Sequence, residues 1–470
     1  MKTTISLALL GLLLAPVVAG AKELYVDRAS GNDSVTYEAN GPGTPWASIG
    51  RAAWGSTNRS APNAGQAARA GDTVHIAAGT YVTAGTGNRF DPAYNPVNSG
   101  VSGSPIVFVG TGLVNLQLNS SRGPVIGAYG GKNYITWDGF YIDEVTAAPT
   151  ADTGPVTVVG SQGVTIRNLV IKGISASWED NHNGIRLEGA SNTLIQNNLI
   201  YGIGSAVQRG QNDAAVMLYD SNDTVIERNE LHSSGAGVFV KGQHPGYTQR
   251  RTIIRYNLIY AMESEGITIG PAARDGKTYQ NIIRDCAPDR AAIRIYDFGT
   301  GEGTEPINEV IANNTVDACS YGVLFAGTGL NNRVMGNIFT SSARAALWSW
   351  SLNSPAGLQF DRNLYFGFGN FAELSNGNTN IAAWRSNFGQ DLSSVTSDPL
   401  YVNGPGNNFK LNANSPARSV GIDVLDLNGN GSTSDVIPAG AYVTGNETIG
   451  RVGTTGLPSA PTGLRIAPQP

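Results

Sequence analysis

Between Gly160 and Trp350 the chain repeats one short pattern of apolar and polar positions. VTIRNLVI (164–171), TLIQNNLIY (193–201), TVIERNELH (224–232), TIIRYNLIY (252–260), TYQNIIRD (278–285), EVIANNTVD (309–317) and NRVMGNIF (332–339) each alternate β-branched or aromatic residues around one Asn. These are Asn168, Asn198, Asn229, Asn257, Asn281, Asn314 and Asn337, continued by Asn363 in FDRNLYF, at steps of 23 to 33 residues. Self-similarity at such a period marks a solenoid. No repeat keeps a 3.6-residue period, so the pattern predicts short strands joined by tight turns and wound into a parallel β-helix. Asn suits the turn because its side chain hydrogen-bonds backbone groups and tolerates left-handed dihedrals, which predicts a stacked ladder.

From about residue 25 to 445 the chain resembles the exported right-handed parallel β-helix proteins of the pectate-lyase-like superfamily. YVDRASGNDS (25–34), GTPWASIGRAAW (43–54) and AGDTVHIAAGTY (70–81) are similar to their opening, and SDPLYVN (397–403), FKLNANSPARSVG (409–421) and DLNGNGSTSDVIPAGAY (426–442) to their close. The resemblance implies an all-β solenoid with an N-terminal cap. A cap is needed physically, because the end of a β-helix is an open sheet edge over an apolar core. The expected organisation is a signal peptide (1–21), a cap and first coil (22–81), the β-helix (82–445) and a Pro-rich tail (446–470). Lys2, the apolar run Ile5 to Val18 and Ala19-Gly20-Ala21 read as a secretory leader, so the expected location is secreted or periplasmic. His75, between Val74 and Ile76, reads as structural.

Composition adds limits. Sixty Gly, 41 % hydrophobic and only 14 % charged residues in a chain of 470 suit many turns rather than a helical bundle. No later run reaches the length of a membrane span. A monomer without membrane or nucleic-acid partners is expected. Cys286 and Cys319 each follow a ladder Asn by five residues, which stacks them in one column. Strand spacing of about 4.8 Å permits a disulfide, and a reduced buried pair fits equally. Asp426 to Gly431 matches half of a calcium loop, but Ile437 stands where the bidentate Glu belongs, so a turn is expected.

Candidate chemistry lies on a second set of strands: GIRLE (184–188), AVMLY (215–219), GVFVK (237–241), GITIG (266–270), AIRIY (292–296), GVLFA (322–326) and ALWSW (346–350). Alternation predicts two outward columns. One is Arg186, Met217, Phe239, Thr268, Arg294, Leu324, Trp348; the other is Glu188, Tyr219, Lys241, Gly270, Tyr296, Ala326, Trp350. Gly184, Ala215, Gly237, Gly266 and Ala292 read as the floor of a groove, with His182, Asp213, Gly235, Ser264 and Arg290 beside it. From Lys241 to Arg294 nine basic residues face five acids, a local +4 in a chain of net −5, which favours an acidic polysaccharide partner.

Such a surface suits β-elimination on a uronate polymer, which needs a cation on the carboxylate, a base for the C5 proton and an acid for O4. Lys241, as neutralising cation or base, and Tyr219 in the adjacent coil are the central candidates, with Arg294 on the next carboxylate. His182 oriented by Asp213 is a second candidate centre. Arg186, Glu188, His244, Arg290, Tyr296, Trp348 and Trp350 are candidate substrate contacts, and His232 reads as an exposed strand end. VFVKGQ (238–243) is similar to the alginate and chondroitin lyases of polysaccharide lyase family six, whose Lys is the base. In that family an Arg follows on the next coil, where this chain has Gly270. The residue pattern itself requires no cofactor; the resemblance implies Ca2+ held by paired acids, for which Glu263 and Glu265 are the candidates. The Asp-Pro-His-Asp signature of β-helix mannuronan epimerases is absent. Two other classes remain open: a glycoside hydrolase using Asp213, Glu188, Glu265 or Asp297, and a non-enzymatic carbohydrate binder or cell-surface protein.

Overall fold

The computed structural model describes residues 20–120, 123–143, 153–173, 181–204, 210–242, 249–297, 304–327, 329–340, 344–355, 357–453 and 457. Along most of this length each coil contributes three short strands, and like strands of successive coils pair in parallel. In one coil these are Leu194–Gln196, Leu199–Tyr201 and Ala214–Tyr219. They pair with Val225–Glu227, Glu230–His232 and Ala236–Lys241 of the next. The third strands build an 11-stranded sheet, parallel except for its last pair, and the others build a 22-stranded one. Ile195, Ile200, Val216, Leu218 and their equivalents fill the interior and are fully buried. The chain is a right-handed parallel β-helix.

The first two strands of a coil are joined by two residues. The first has positive φ: Asn197 (57°), Arg228 (53°), Tyr256 (57°), Gln280 (51°), Asn313 (52°), Gly336 (67°) and Arg362 (60°). The second is the ladder Asn, fully buried in every coil from Asn198 to Asn363. From Asn198 to Asn337, the backbone N–H and the Nδ2 of each donate to the Oδ1 of the next at 2.9–3.1 Å. Burying these amides is tolerable because the stack itself satisfies them. Two expectations change here. The left-handed dihedral belongs to the residue before each ladder Asn. Asn168 (φ 57°) sits in that preceding row, bonded to Asp138 Oδ1 at 2.6 Å, while Leu169 occupies the rung and donates its N–H to Asn198 Oδ1 at 2.9 Å.

Both ends of the core are covered. Helix Ile49–Trp54, capped by Ser48 Oγ on the Arg51 N–H (3.1 Å), packs over strands Glu23–Val26 and Thr73–Ala84. Helix Ile381–Phe388 lays the buried Trp384 against Phe360 and Phe371, each at 5.8 Å. Residues 438 to 452 then return along the left-handed row as a strap. The Asn313 amide donates to Pro438 O (2.9 Å), Gly440 N–H to Gly336 O (2.8 Å), Gly450 N–H to Tyr256 O (2.7 Å) and Val452 N–H to Asn197 Oδ1 (2.6 Å).

Cys286 and Cys319 form a disulfide between adjacent coils, with Cα atoms 4.7 Å apart. His75 stacks on Tyr25 at 5.2 Å and meets Glu23 Oε2 at 2.5 Å. His232, expected to be exposed, is fully buried between Tyr201 (4.9 Å) and Tyr260 (4.7 Å), because its flat ring continues an aromatic column. In the Asp426–Gly431 segment the carboxylates cap backbone: Asp423 accepts from Leu427 and Asn428 N–H, and Asp426 from Gly431 N–H. Among the described residues no helix is long and apolar enough to cross a membrane. The signal-peptide reading falls outside the described residues except at Gly20 and Ala21, and the tail reading outside them beyond Gly453 except at Leu457.

Candidate active site

The third strands carry the outward columns in the expected register. Arg186 pairs with Met217, Met217 with Phe239, Phe239 with Thr268, Thr268 with Arg294, Arg294 with Leu324 and Leu324 with Trp348. Glu188, Tyr219 and Lys241 follow one another likewise. These columns are not an open groove along their length. Met217, Tyr219, Phe239, Tyr296, Leu324 and Ala326 are buried and form an apolar cluster outside the helical core. Polar groups emerge from it at Glu188, Lys241 and Arg294, and Trp350 stands 46 % exposed.

The expected floor lies elsewhere. Ala215 and Ala292 belong to the interior cluster, and Ala214, Ala236 and Ala291 to the outward one. Residues 215 and 216 thus both point inward where the chain bends into the strand. A Cβ at Gly184 would lie 2.5 Å from Ile200 Cγ2, and at Gly266 2.5 Å from Ile283 Cγ2. The small residues are therefore a core-packing requirement.

Lys241 closes strand Ala236–Lys241. Its Nζ lies 4.7 Å from the centre of the Tyr219 ring and 4.6 Å from that of Phe239, and donates to Asn212 Oδ1 at 3.3 Å. On the other side of Tyr219 the Arg186 guanidinium lies 4.4 Å from the ring centre. The Tyr219 hydroxyl donates to Asn181 Oδ1 at 3.3 Å. Gly270 occupies the next rung, where a Cβ would sit 2.9 Å from Phe239 Cε2 and 3.2 Å from Lys241 Cβ. Gly270 is itself buried, and the close approach of Phe239 and Lys241 leaves no room for a side chain at that rung. Beyond it, Arg294 lies 4.0 Å from the Tyr296 ring and 5.2 Å from Trp350, and donates to Gln211 Oε1. Burial pushes the Tyr296 hydroxyl well above its ordinary range.

The other candidates are placed differently. Asp213 is fully buried and accepts the backbone N–H of His182 (3.2 Å) and of Gly210 (2.9 Å), so the structure brings this pair together through main chain rather than through the imidazole. Arg290 is exposed at the other end of its strand. Trp348 stacks on Tyr321 at 4.5 Å and meets Trp350 edge-on at 5.3 Å. His244 lies outside the described residues. Of the two acids read as exposed ligands, Glu263 is exposed but Glu265 is buried, accepting from Ser264 Oγ (2.5 Å) 3.9 Å from Arg294. Burial next to a guanidinium makes Glu265 a partner for Arg294. Among the described residues no group of three or more His, Cys, Asp or Glu side chains is placed to hold a metal ion.

The carboxylates considered for hydrolysis are each committed to a neighbour. Arg186 holds Glu188 Oε1 at 2.5 and 2.6 Å, and Thr304 Oγ1 donates to Asp297 Oδ1 at 2.7 Å. The sequence reading missed Asn181, Gln211 and Asn212, the polar residues that meet Tyr219, Arg294 and Lys241. Their signal was the run Gln211-Asn212-Asp213 just ahead of a strand.

Residues 154–364 match the protein family described as right handed beta helix region. No curated protein matches the chain. Among solved structures it is similar to the mannuronan C-5 epimerase AlgE6 A-module of Azotobacter vinelandii, at 13 % identity over 70 % of this chain and 90 % of that one, TM-score 0.48. It is similar to a mannuronic acid specific polysaccharide family 6 lyase from human gut microbiota, at 16 % identity over 69 % and 80 %, TM-score 0.44. It is also similar to an exopolygalacturonase from Thermotoga maritima, at 12 % identity over 64 % and 82 %, TM-score 0.47. Polysaccharide lyases and glycoside hydrolases thus both stand among the proteins similar in fold. Likeness at this level is one of fold alone.

Proposed function

We propose that the protein is an exported polysaccharide lyase that cleaves a uronate-containing polymer by β-elimination. One observation carries the reading: a phenol flanked by two cations, Tyr219 between Arg186 and Lys241, shares a sheet face with a third cation, Arg294, two rungs beyond Lys241. Successive rungs are about 4.8 Å apart. A uronate lying across this face with its C6 carboxylate between Lys241 and Arg294 would have that charge neutralised, which acidifies C5–H. Tyr219, reacting as the phenolate held between Lys241 and Arg186, takes the C5 proton and becomes the neutral phenol. The C5 electron pair forms the C4=C5 bond as C4–O4 breaks, and the phenol returns the proton to O4. Trp350 offers a ring face to a neighbouring sugar.

Purified protein incubated with alginate, glucuronan, pectate and glycosaminoglycans, with and without calcium, tests this. An ultraviolet absorbance rising together with reducing ends, and lost in Lys241→Ala, is expected. Reducing ends without absorbance would replace the lyase by a hydrolase. Silence on every polymer would leave a binding role.

A further inference from the structure

At the last coils, well beyond the cationic cluster, the turn Phe366-Gly367-Phe368-Gly369-Asn370-Phe371 bounds a cavity of about 430 Å³, closed on its other side by Asn378, Thr379 and Thr396. Gly367 takes φ 87°, a left-handed value that lets the turn double back and spread its rings around the opening. Phe366 is 41 % exposed and presents its ring to this cavity. The amides of Asn370 and Asn378 bond to no described residue through their side chains. Every lining residue is uncharged. Across Phe366 lies a second cavity of about 500 Å³, lined by Asp285, Asp317 and Asp398. Asp285 is paired with Arg284, and Asp317 and Asp398 next door create a field that repels a polyanion.

We infer that this cavity is a binding site for a neutral oligosaccharide, separate from the uronate site. A sugar presents an apolar ring face and a hydroxyl rim, and the cavity offers the matching pair: the exposed Phe366 ring and the half-buried Phe368, with amide and hydroxyl groups around them. The uncharged lining and the acidic neighbour select a neutral pyranose chain over a uronate. The site would tether the enzyme to an uncharged glycan lying beside the acidic one it attacks, so it builds on the proposed function without depending on it.

Calorimetric titration with xylohexaose, cellohexaose, mannohexaose and hexamannuronate is the test, on the wild type, Phe366→Ala, Asn378→Ala and Lys241→Ala. At least one neutral hexasaccharide should bind with Kd about 1 mM or tighter. Phe366→Ala should weaken it at least tenfold and Asn378→Ala severalfold, with unchanged melting temperatures and unchanged lyase activity. Lys241→Ala should bind it as the wild type does, so a failed lyase assay leaves this result standing. The inference falls if no neutral hexasaccharide binds, if both pocket variants bind as the wild type, or if hexamannuronate binds more tightly in a Phe366-dependent way.

Discussion

Lys241 and Tyr219 are cross-strand partners in adjacent coils, with the ammonium 4.7 Å from the centre of the phenol ring. A cation over an aromatic face is stabilised by it. In the proposed reaction Lys241 neutralises charge and Tyr219 transfers the proton. Tyr219→Phe keeps the ring under Lys241 and removes the hydroxyl, so kcat should fall about 10²- to 10⁴-fold with little change in KM. Lys241→Arg retains positive charge and should keep far more activity than Lys241→Ala. Equal loss in both Lys241 variants would transfer the base to Lys241.

Glu309 gives the fold an alkaline weakness. It is fully buried, its carboxylate accepting the Gly276 N–H at 3.1 Å, with Asp275 and Arg274 nearby, and burial raises its pKa from 4.5 to about 8. The folded state therefore binds a proton that the unfolded state has released. Its stabilising effect is complete below pH 4.5 and is lost as pH rises to 8. Glu309→Gln should flatten that decline and gain on the order of a few kcal/mol at pH 8, read from urea unfolding midpoints. An unchanged slope from pH 5 to 8 would mean Glu309 ionises freely.

His232 acts on the other limb. Burial, aided by Arg284, lowers its pKa from 6.5 to about 4. Here the unfolded state holds the extra proton, so the contribution is complete above pH 6.5 and lost as pH falls to 4. His232→Phe preserves a flat ring between Tyr201 and Tyr260. It should reduce acid sensitivity between pH 6.5 and 4 by about 3 kcal/mol. The same melting temperatures at pH 4.5 for variant and wild type would contradict this.

Within the ladder, Asn257 accepts from the N–H and Nδ2 of Asn229 and donates to Ile226 O and Asn281 Oδ1. Asn257→Ala strands several buried groups and should cost about 3 kcal/mol or more. Asn168→Ala, in the half-exposed preceding row, should cost clearly less. Comparable losses in the two variants would deny the ladder its special place.

The register of the third strands was legible because Ile185, Val216, Val238, Ile267, Ile293 and Val323 fix the inward face coil after coil. Alternation failed where it was carried past a bend: Ala215 and Val216 both face the core, so a column of Gly and Ala resembled a groove floor. Asn168 misled because Leu169 fills its rung, and a polar residue one position away fits nearly the same spacing. His232 read as exposed on polarity, although a flat ring was what its column required. Asn181, Gln211 and Asn212 come from connections between strands, which carry no period. The polar contacts of Tyr219, Lys241 and Arg294 were consequently the least legible part of the candidate site.

The strap also bears on how the chain is made. Asn197 is joined to Val452 across 255 residues of sequence, with Val452 N–H donating to its Oδ1 and its Nδ2 donating to Val452 O. Coils can stack on one another as they leave the ribosome, each needing only its predecessor. The outer edge of the coil at Asn197, among the earlier ones synthesised, receives its cover only when residue 452 has emerged. The molecule is assembled from one end and fastened from the other.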